Sequence, residues 1–355
     1  MRIVLTGASG NIGSAVLRRL VDAGTHELGG LARRPPTEGW PFEEVEWTEV
    51  DLTEAGAVSV LEKAFAGADA VVHLAWGFQP SHDLGYLEQL GVAGTRRVVE
   101  AVASAQVPHL VHMSSVGAYS PKRDDEPVDE SWPTGGVASS PYSQHKSAAE
   151  LILDDFERTT PSTTLTRLRP GIVGQRSAGS GLLRYTVPAV VPARALNLLP
   201  VLPLGRRLRI PMVHADDVAD AVEKVIALRA PGPFNLAAEP AVSASDIAAA
   251  LGARLVDVPA PIVRGLASLT WHARLQQVDP GWLDLGYAVP LMDTTRARRE
   301  LGWTPTVDAL SVLEETVAGM REGAADRTPA LRPRTVPRQL ARMLRRGAVS
   351  RRSRP

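Results

Sequence analysis

Three glycines, Gly7, Gly10 and Gly13, punctuate the first thirteen residues, between the apolar run Ile3 to Thr6 and a segment of helical periodicity from Ile12 to Ala23. This spacing constrains the fold more than any other feature of the chain. The octet Thr6-Gly7-Ala8-Ser9-Gly10-Asn11-Ile12-Gly13 must turn a strand into a helix within a few residues. Gly7 permits the tight turn, Gly10 lets the backbone approach a pyrophosphate, and Gly13 lets the helix pack closely on the strand. The helix start then offers unpaired N–H groups to an anion. A bare strand-to-helix turn would need no ligand. The position of this one, at the head of an alternating strand and helix pattern, is what makes it a phosphate-binding candidate.

The alternation continues. Strands are expected near residues 3–6, 27–32, 45–50, 70–75, 110–114 and 164–168, with helices at 12–23, 55–65, 86–104 and 142–159. A later unit, Met212-Val213-His214 followed by a helix over 215–228, reads as a strand returning to the same sheet. Repeated strand–helix units of this kind specify an α/β fold, a doubly wound parallel Rossmann sheet, with a smaller C-terminal substrate lobe. The reading assigns 1–170 plus 210–232 to the dinucleotide-binding domain, 171–209 plus 233–322 to the lobe, and 323–355 to a basic, flexible tail. With 355 residues, 44% hydrophobic and 22% charged, the chain has enough material for such a core.

Composition narrows the setting. The absence of cysteine excludes disulfides and thiolate metal sites and fits a cytoplasmic protein, and the N-terminus runs into its first strand without a signal-peptide pattern. The most apolar stretch, 182–204, carries Arg184, Arg194 and four prolines, which argues against a membrane span. Net charge is zero, but ten of the 39 basic residues lie at or beyond Arg327 with no acidic residue among them. Nucleic acid or membrane contact is therefore expected only through this tail, and a solvated or self-docking extension is the plainer reading. His73, His112 and His214 sit in apolar strand patterns and read as core histidines, and no metal-ligand spacing occurs.

The second strand ends in Ala32-Arg33-Arg34-Pro35, without the carboxylate that would receive a ribose hydroxyl. Arg33 and Arg34 favour NADP over NAD, because arginine there accommodates a 2′-phosphate. Asp51 and Leu52 follow the third strand, either meeting the adenine edge or, for Asp51, capping the next helix. Tyr142-Ser143-Gln144-His145-Lys146 opens a helix, so Tyr142 and Lys146 share one face a turn apart. An ammonium beside a phenol favours the phenolate and brings tyrosine toward neutral-pH proton transfer. With five tyrosines and four lysines in the chain, chance supplies only about 0.06 such pairs. Ser114 and Ser115 close an apolar strand, at the edge where ligands bind in open α/β sheets, and Ser115 is placed to hydrogen-bond a substrate oxygen.

These pieces together resemble the extended short-chain dehydrogenase/reductases of the NAD-dependent epimerase/dehydratase family. Matching segments are the Thr6 to Gly13 loop, Asp51-Leu52, His73-Leu74-Ala75, Gly94-Thr95, Ser114-Ser115, Tyr142 with Lys146, Arg169-Pro170-Gly171, Val213 to Val218, and Leu301-Gly302-Trp303-Thr304-Pro305, in family order over residues 1 to about 320. The resemblance implies that Tyr142 is the acid/base, that Lys146 lowers its pKa and binds the nicotinamide ribose, and that Ser115 orients the reacting oxygen. It also implies that Ser9, Asn11 and Ile12 belong to the cofactor loop, that Ala75 lies near the adenosine, that Pro170 to Val173 lie by the nicotinamide, and that the long helices pair in a homodimer. Gly91 departs from the family, which often places asparagine there, and removes a side chain that supports the active-site backbone or a proton relay. Gly29-Gly30 weakens a strand where β-branched residues are expected.

Substrate class stays open between a nucleotide sugar and a lipophilic carbonyl or alcohol. Arg209 is a candidate phosphate anchor; Trp76, with Phe78 nearby, and the apolar stretch 182–204 favour the second class or simply pack the lobe. A non-catalytic dinucleotide sensor or scaffold is the alternative function. It has no need for Tyr142 and Lys146 on one helix face.

Overall fold

The computed structural model describes residues 1–36, 38–77, 81–187, 192–276 and 278–334. Phe78, four residues of the apolar stretch (188–191) and the end of the basic tail, with its amphipathic segment 339–346, lie outside the described residues. Strands are β1 (Arg2–Thr6), β2 (Glu27–Ala32), β3 (Glu46–Glu49), β4 (Ala70–His73), β5 (His109–Met113), β6 (Thr164–Pro170), β7 (Ile172–Gly174), β8 (Val201–Leu204), β9 (Arg209–His214), β10 (Gly232–Leu236), β11 (Ala238–Ser243) and β12 (Arg254–Asp257). Helices are α1 (Asn11–Ala23), α2 (Ala57–Phe65), α3 (Leu84–Glu88), α4 (Gly94–Ser104), α5 (Pro141–Thr159), α6 (Gly179–Thr186), α7 (Ala215–Leu228), α8 (Ala244–Ala250), α9 (Ala260–His272), α10 (Pro280–Ala288), α11 (Thr295–Leu301) and α12 (Ala309–Glu322).

Seven parallel strands in the order β10-β6-β5-β4-β1-β2-β3 form the main sheet. Strand side chains alternate between faces, and the two cores follow that alternation. Ile3 and Leu5 pack with residues of α1 and α7 on one face, while Val4 packs with residues of α2, α4 and α5 on the other. Connections leave β1 in opposite directions toward β2 and β4, so the topological switch point lies between β1 and β4, directly above the glycine loop.

Three expectations are corrected. The strand containing 212–214 is β9, which belongs not to the main sheet but to a three-stranded sheet ordered β11-β9-β7; the seventh main strand is β10, which straddles the expected boundary at 232/233 with all but its first residue on the lobe side. The helix expected over 86–104 is α3 and α4 joined by a π-helical turn, Gln89–Ala93. The glycines of β2 do more than weaken a strand: a Cβ on Gly30 would lie 2.7 Å from the Trp47 ring of β3, which uses that space.

A two-stranded pair, β12-β8, completes the smaller lobe. The lobe is tied to the main domain by Asp217 of α7, which accepts from the Thr306 and Val307 N–H groups and the Thr306 hydroxyl, while its carbonyl accepts from the buried Trp303 indole. Residues expected in the tail are docked as far as Arg334. Thr328 and Leu331 are buried, and Arg184 of α6 donates to the Ala330 and Arg332 carbonyls. Among the described residues no helix is long and apolar enough to cross a membrane.

Candidate active site

The glycine loop takes the shape its residues dictate. Gly7 has φ +69°, and a Cβ there would lie 2.6 Å from the Ala75 amide nitrogen; one on Gly13 would lie 2.4 Å from the Gly7 carbonyl oxygen. Both are backbone collisions, so the loop, α1 and the end of β4 close up only around glycine. Gly10 is the N-cap of α1 and contributes no side-chain cap, and the first turn holds no acidic residue. The helix end therefore keeps its positive pole and its N–H groups for an anion. Asn11 Nδ2 donates to the Val173 carbonyl, and Gln175 Nε2 donates to Asn11 O and Oδ1 at 2.7 Å each, so the lobe clamps the loop. Ile12 is half-buried against the core on the α1 and α7 face of the sheet, and Ser9 is partly exposed at the turn.

Around the expected adenosine end, Asp51 Oδ1 accepts from the Thr53 amide and hydroxyl, which makes it a turn residue rather than the cap of α2. Leu52 is buried, and its carbonyl accepts from Arg97. Thr6 Oγ1 faces the Ala75 amide at 3.4 Å. Arg33 donates to the Tyr86 hydroxyl at 2.7 Å, and Arg34 lies exposed beside it.

Helix α5 carries the Tyr142 and Lys146 pair. Ser140 caps it, Pro141 starts it, and the pitch puts Tyr142 and Lys146 on one face. Ser143 Oγ, one residue on, donates to the Gly117 carbonyl at 2.6 Å and accepts from the Val137 amide, locking α5 to the turn after β5. That turn is tight: a Cβ on Gly117 would stand 2.8 Å from Tyr142 Cε1, so the phenol ring lies against bare backbone. Ser115 accepts from the Gly117 amide at 3.0 Å and is hydrogen-bonded to the Tyr142 side chain. Lys146, 2% exposed, donates to the Met113 carbonyl at 2.8 Å and sits 3.6 Å from the centre of the Trp76 ring. Pro170 ends β6, buried beside Leu236 of β10.

The expected electrostatics are reversed in the folded chain. Burial pushes the Tyr142 phenol up to about 12, offset only in part by its bond to Ser115, and burial pulls Lys146 down to about 7 against the opposing pull of Glu150. Desolvation penalises whichever form is charged, and at this depth it outweighs an ammonium one turn away. The cation–π contact with Trp76 and the Met113 carbonyl support the Lys146 charge that remains.

Trp76 explains Gly91. A Cβ on Gly91 would lie 2.9, 3.0 and 3.2 Å from Cζ2, Cη2 and Cε2 of the indole, so the ring fills the space a side chain on the π-turn would occupy. Trp76 also meets Tyr142 edge-on at 6.4 Å, and Trp282 of α10 stands 4.7 Å away on another side. The Tyr142 ring is thus flanked by two indoles, of which Trp282 left no motif to find it by.

Beneath lies a network that the sequence reading missed. Arg169 donates from Nε and Nη2 to Glu150 at 2.9 Å each and from Nη1 to the Tyr119 hydroxyl, which donates to Asn235 Oδ1; Ser114 donates to Glu150 at 2.6 Å. Its members come from the turn after β5 and from β6, β10 and α5, so only the fold brings them together. Among the histidines, His73 faces the Thr6 and Thr95 hydroxyls and is held neutral by burial, down to about 3; His112 is buried with no partner for either ring nitrogen among the described residues; His214 caps α7. Arg209 gives its guanidinium to the Arg206 and Leu208 carbonyls of its own loop. Among the described residues no three His, Asp or Glu side chains gather as a metal site.

A parallel sheet with its switch point over a glycine-lined helix start, and a serine, tyrosine and lysine at the neighbouring strand end, define a dinucleotide-type α/β enzyme scaffold. Residues 3–237 match the NAD dependent epimerase/dehydratase family, and the chain belongs to that family, of the short-chain dehydrogenase/reductase type. It is 28% identical over 324 residues to an uncharacterised Mycobacterium tuberculosis protein, covering 90% of this chain but only 30% of that relative's length. It is 27% identical over 337 residues to the UDP-glucose 4-epimerase of Yersinia pestis, covering 85% of this chain and 92% of the relative. Among solved structures, the dTDP-glucose 4,6-dehydratase DesIV of Streptomyces venezuelae, with NAD and TYD bound, shares the fold with a TM-score of 0.66 at 22% identity, covering 91% of this chain and 97% of that one.

Proposed function

We propose that the chain is a nicotinamide-dinucleotide oxidoreductase, transferring hydride at a carbon that bears an alcohol or carbonyl, with Tyr142 as acid/base. The observation that carries this reading is the convergence of the Tyr142 phenol, the Ser115 hydroxyl and the Lys146 ammonium at the end of β5, next to a loop whose glycines leave no room for side chains. The cofactor fits the residues present: Gly7, Gly10 and Gly13 shape the cradle, and the uncapped start of α1 faces the pyrophosphate position. When bound, the nicotinamide supplies or accepts the hydride. Ser115 holds the reacting oxygen beside the Tyr142 hydroxyl, which gives or takes the proton. Lys146, one turn along α5 from Tyr142 and held at the Met113 carbonyl, reaches the ribose, and burial under Trp76 and Trp282 keeps bulk water from the phenol.

Arg33 and Arg34, with no carboxylate at the end of β2, support NADP over NAD. For the substrate, the two indoles and the engagement of Arg209 by its own loop support a lipophilic or aromatic carbonyl or alcohol. The names of relatives that act on nucleotide sugars support the second class, a nucleotide sugar. The test is turnover with NADPH and NADH against a panel of both classes, in wild type and Tyr142→Phe. General acid–base catalysis contributes about 10²- to 10⁴-fold, so the variant should lose activity by that factor while cofactor affinity holds. Cofactor binding without turnover of any panel member, unchanged by the substitution, would favour the sensor reading.

A further inference from the structure

Helix α9 turns an apolar face to solvent. At about 100° per residue, Ile262, Leu266, Leu269 and Ala273 fall within an arc of about 60°. Ile262, Leu266 and Leu269 are 63%, 61% and 69% exposed, and Leu275, just past the helix, is 63% exposed. Trp271 lies on the opposite side, 5% exposed, and stacks on the His82 ring at 3.7 Å. The one arginine of α9, Arg264, is drawn toward α10, where its Nε donates to both Asp284 oxygens at 2.8 and 2.9 Å. A helix on a protein surface ordinarily keeps its polar residues outward. This one is apolar on both sides, and a contiguous exposed patch of that kind marks an interaction surface.

The surroundings are cationic. Residues 258–278 carry Arg264, His272 and Arg274 with no acidic residue, and residues 187–207 carry Arg194, Arg206 and Arg207 with none. The second segment ends beside the start of α9, since the Val258 carbonyl is 3.2 Å from where a Gly205 Cβ would stand and Arg206 N donates to Asp257. Arg206 pairs with Asp257 and Arg264 with Asp284. Among the described residues, Arg207 at one end of α9 and Arg274 at the other are exposed and enter no salt bridge. The basic tail leaves from the same lobe: Arg334 Nη2 donates to the Val187 carbonyl, at the head of the stretch that enters β8, and β8 pairs with β12, which leads into α9. Residues 335–355 carry seven arginines and no acidic residue. Extended, they span up to about 70 Å, against a radius of gyration of about 20 Å for a chain of this length, so α9 is within their reach.

Three occupants would cover such a face. Two copies set face to face would bring Arg207 and Arg274 of both to one seam, and the few aliphatic side chains fall far short of the roughly 20–30 residues a side of a stable dimer. The tail would press its arginines against a cationic rim. A bilayer with anionic headgroups suits both features, because aliphatic side chains enter the acyl boundary while guanidinium groups meet lipid phosphates. The face also stands close to the candidate active site. Trp282 of α10 is 4.7 Å from the Tyr142 ring, and the His82 that Trp271 covers lies on the same connection after β4 as Trp76.

We infer that α9, with Leu275 and the arginines around it, seats this chain on the surface of an anionic lipid bilayer, and that the substrate is a lipophilic alcohol or carbonyl compound carried in that bilayer. The docking stands on the surface itself; the substrate class rests on the oxidoreductase reading above.

Flotation of the full chain with phosphatidylcholine vesicles, with and without phosphatidylglycerol, tests the docking in wild type, the triple variant Ile262→Ser/Leu266→Ser/Leu269→Ser and the double variant Arg207→Gln/Arg274→Gln. Wild type should bind the anionic vesicles, and less so at high salt. The triple variant should bind about a hundredfold more weakly or worse, and the double variant about thirtyfold more weakly, both with the thermal midpoint of wild type. Wild type that stays off the anionic vesicles refutes the docking. A triple variant that floats as well as wild type refutes the role of α9 and leaves the contact to the tail. Wild-type dimers that the triple variant abolishes, without vesicle binding, give the face to a second copy instead. Turnover then tests delivery: the triple variant should keep its rate on a short, water-soluble alcohol and lose about tenfold or more on a long-chain alcohol held in vesicles, as the local substrate concentration falls. Equal rates on the vesicle-borne alcohol refute delivery from the bilayer. If vesicle-bound wild type turns over no alcohol or carbonyl compound, the oxidoreductase reading falls and the docking stands.

Discussion

Adding a methyl group at Gly91 tests whether the π-turn is glycine because of Trp76. A Cβ there would meet three atoms of the indole at 2.9 to 3.2 Å, whereas ordinary van der Waals contact begins near 3.4 Å, so the ring or the turn must yield by several tenths of an ångström. The ring cannot retreat freely, since Lys146 Nζ stands over it, 3.6 Å from its centre. Overpacking of this sort costs about 1–3 kcal/mol, and displacing the ring from the ammonium removes a contact worth about 0.5–2 kcal/mol. Against this, alanine gains about 1 kcal/mol over glycine in helical backbone. The expected net effect of Gly91→Ala is a loss of about 1–3 kcal/mol. In a Trp76→Leu background the clash is gone and only the helical gain remains, so the same substitution should stabilise by about 1 kcal/mol. Urea unfolding of wild type, both single variants and the double variant closes the cycle, with an expected coupling of about 2–4 kcal/mol. A Gly91→Ala protein as stable as wild type, or a coupling near zero, would refute the packing argument and leave Gly91 to be explained another way.

Other consequences are equally direct. Lys146 is ammonium-disfavouring in the fold, at about 7 against an ordinary 10.5, so between those values the unfolded chain binds more protons and stability rises with pH. Lys146→Met should therefore be more stable than wild type below pH 7, with the advantage shrinking from pH 7 toward 10.5; a pH-independent difference in urea midpoints would contradict the burial argument. Gly13→Ala sets a Cβ 2.4–2.5 Å from two backbone carbonyls of the loop and should cost about 3 kcal/mol or more, read as a lower thermal midpoint with loss of dinucleotide binding. Gln175→Ala removes both bonds to Asn11 and one from Arg18. It should weaken cofactor affinity about tenfold, with unfolding free energy lowered by only about 1 kcal/mol; unchanged affinity would show that the clamp does not shape the loop.

Local chemistry was legible from the chain alone wherever it is written in consecutive residues. The glycine octet, the Tyr142 and Lys146 spacing and the first six strands each need only short-range backbone geometry, and β1 to β6 all take places in the main sheet. Helix boundaries suffered where tertiary contacts override propensity, as at the π-turn that accommodates Trp76. Strand partners are a different kind of fact. Residues 212–214 read as a strand of the main sheet and residues from 233 onward as lobe, and nothing local decides otherwise; long-range pairing with Thr166 to Pro170 brings 232–236 into the main sheet instead.

The residue types at the candidate site were thus determined by the sequence, and their electrical state was decided by the fold. A tyrosine and a lysine one turn apart lower each other's cost of ionisation when solvated, yet here burial raises the phenol and depresses the amine, because the energy of desolvation depends on everything packed around a group and on nothing in its own segment.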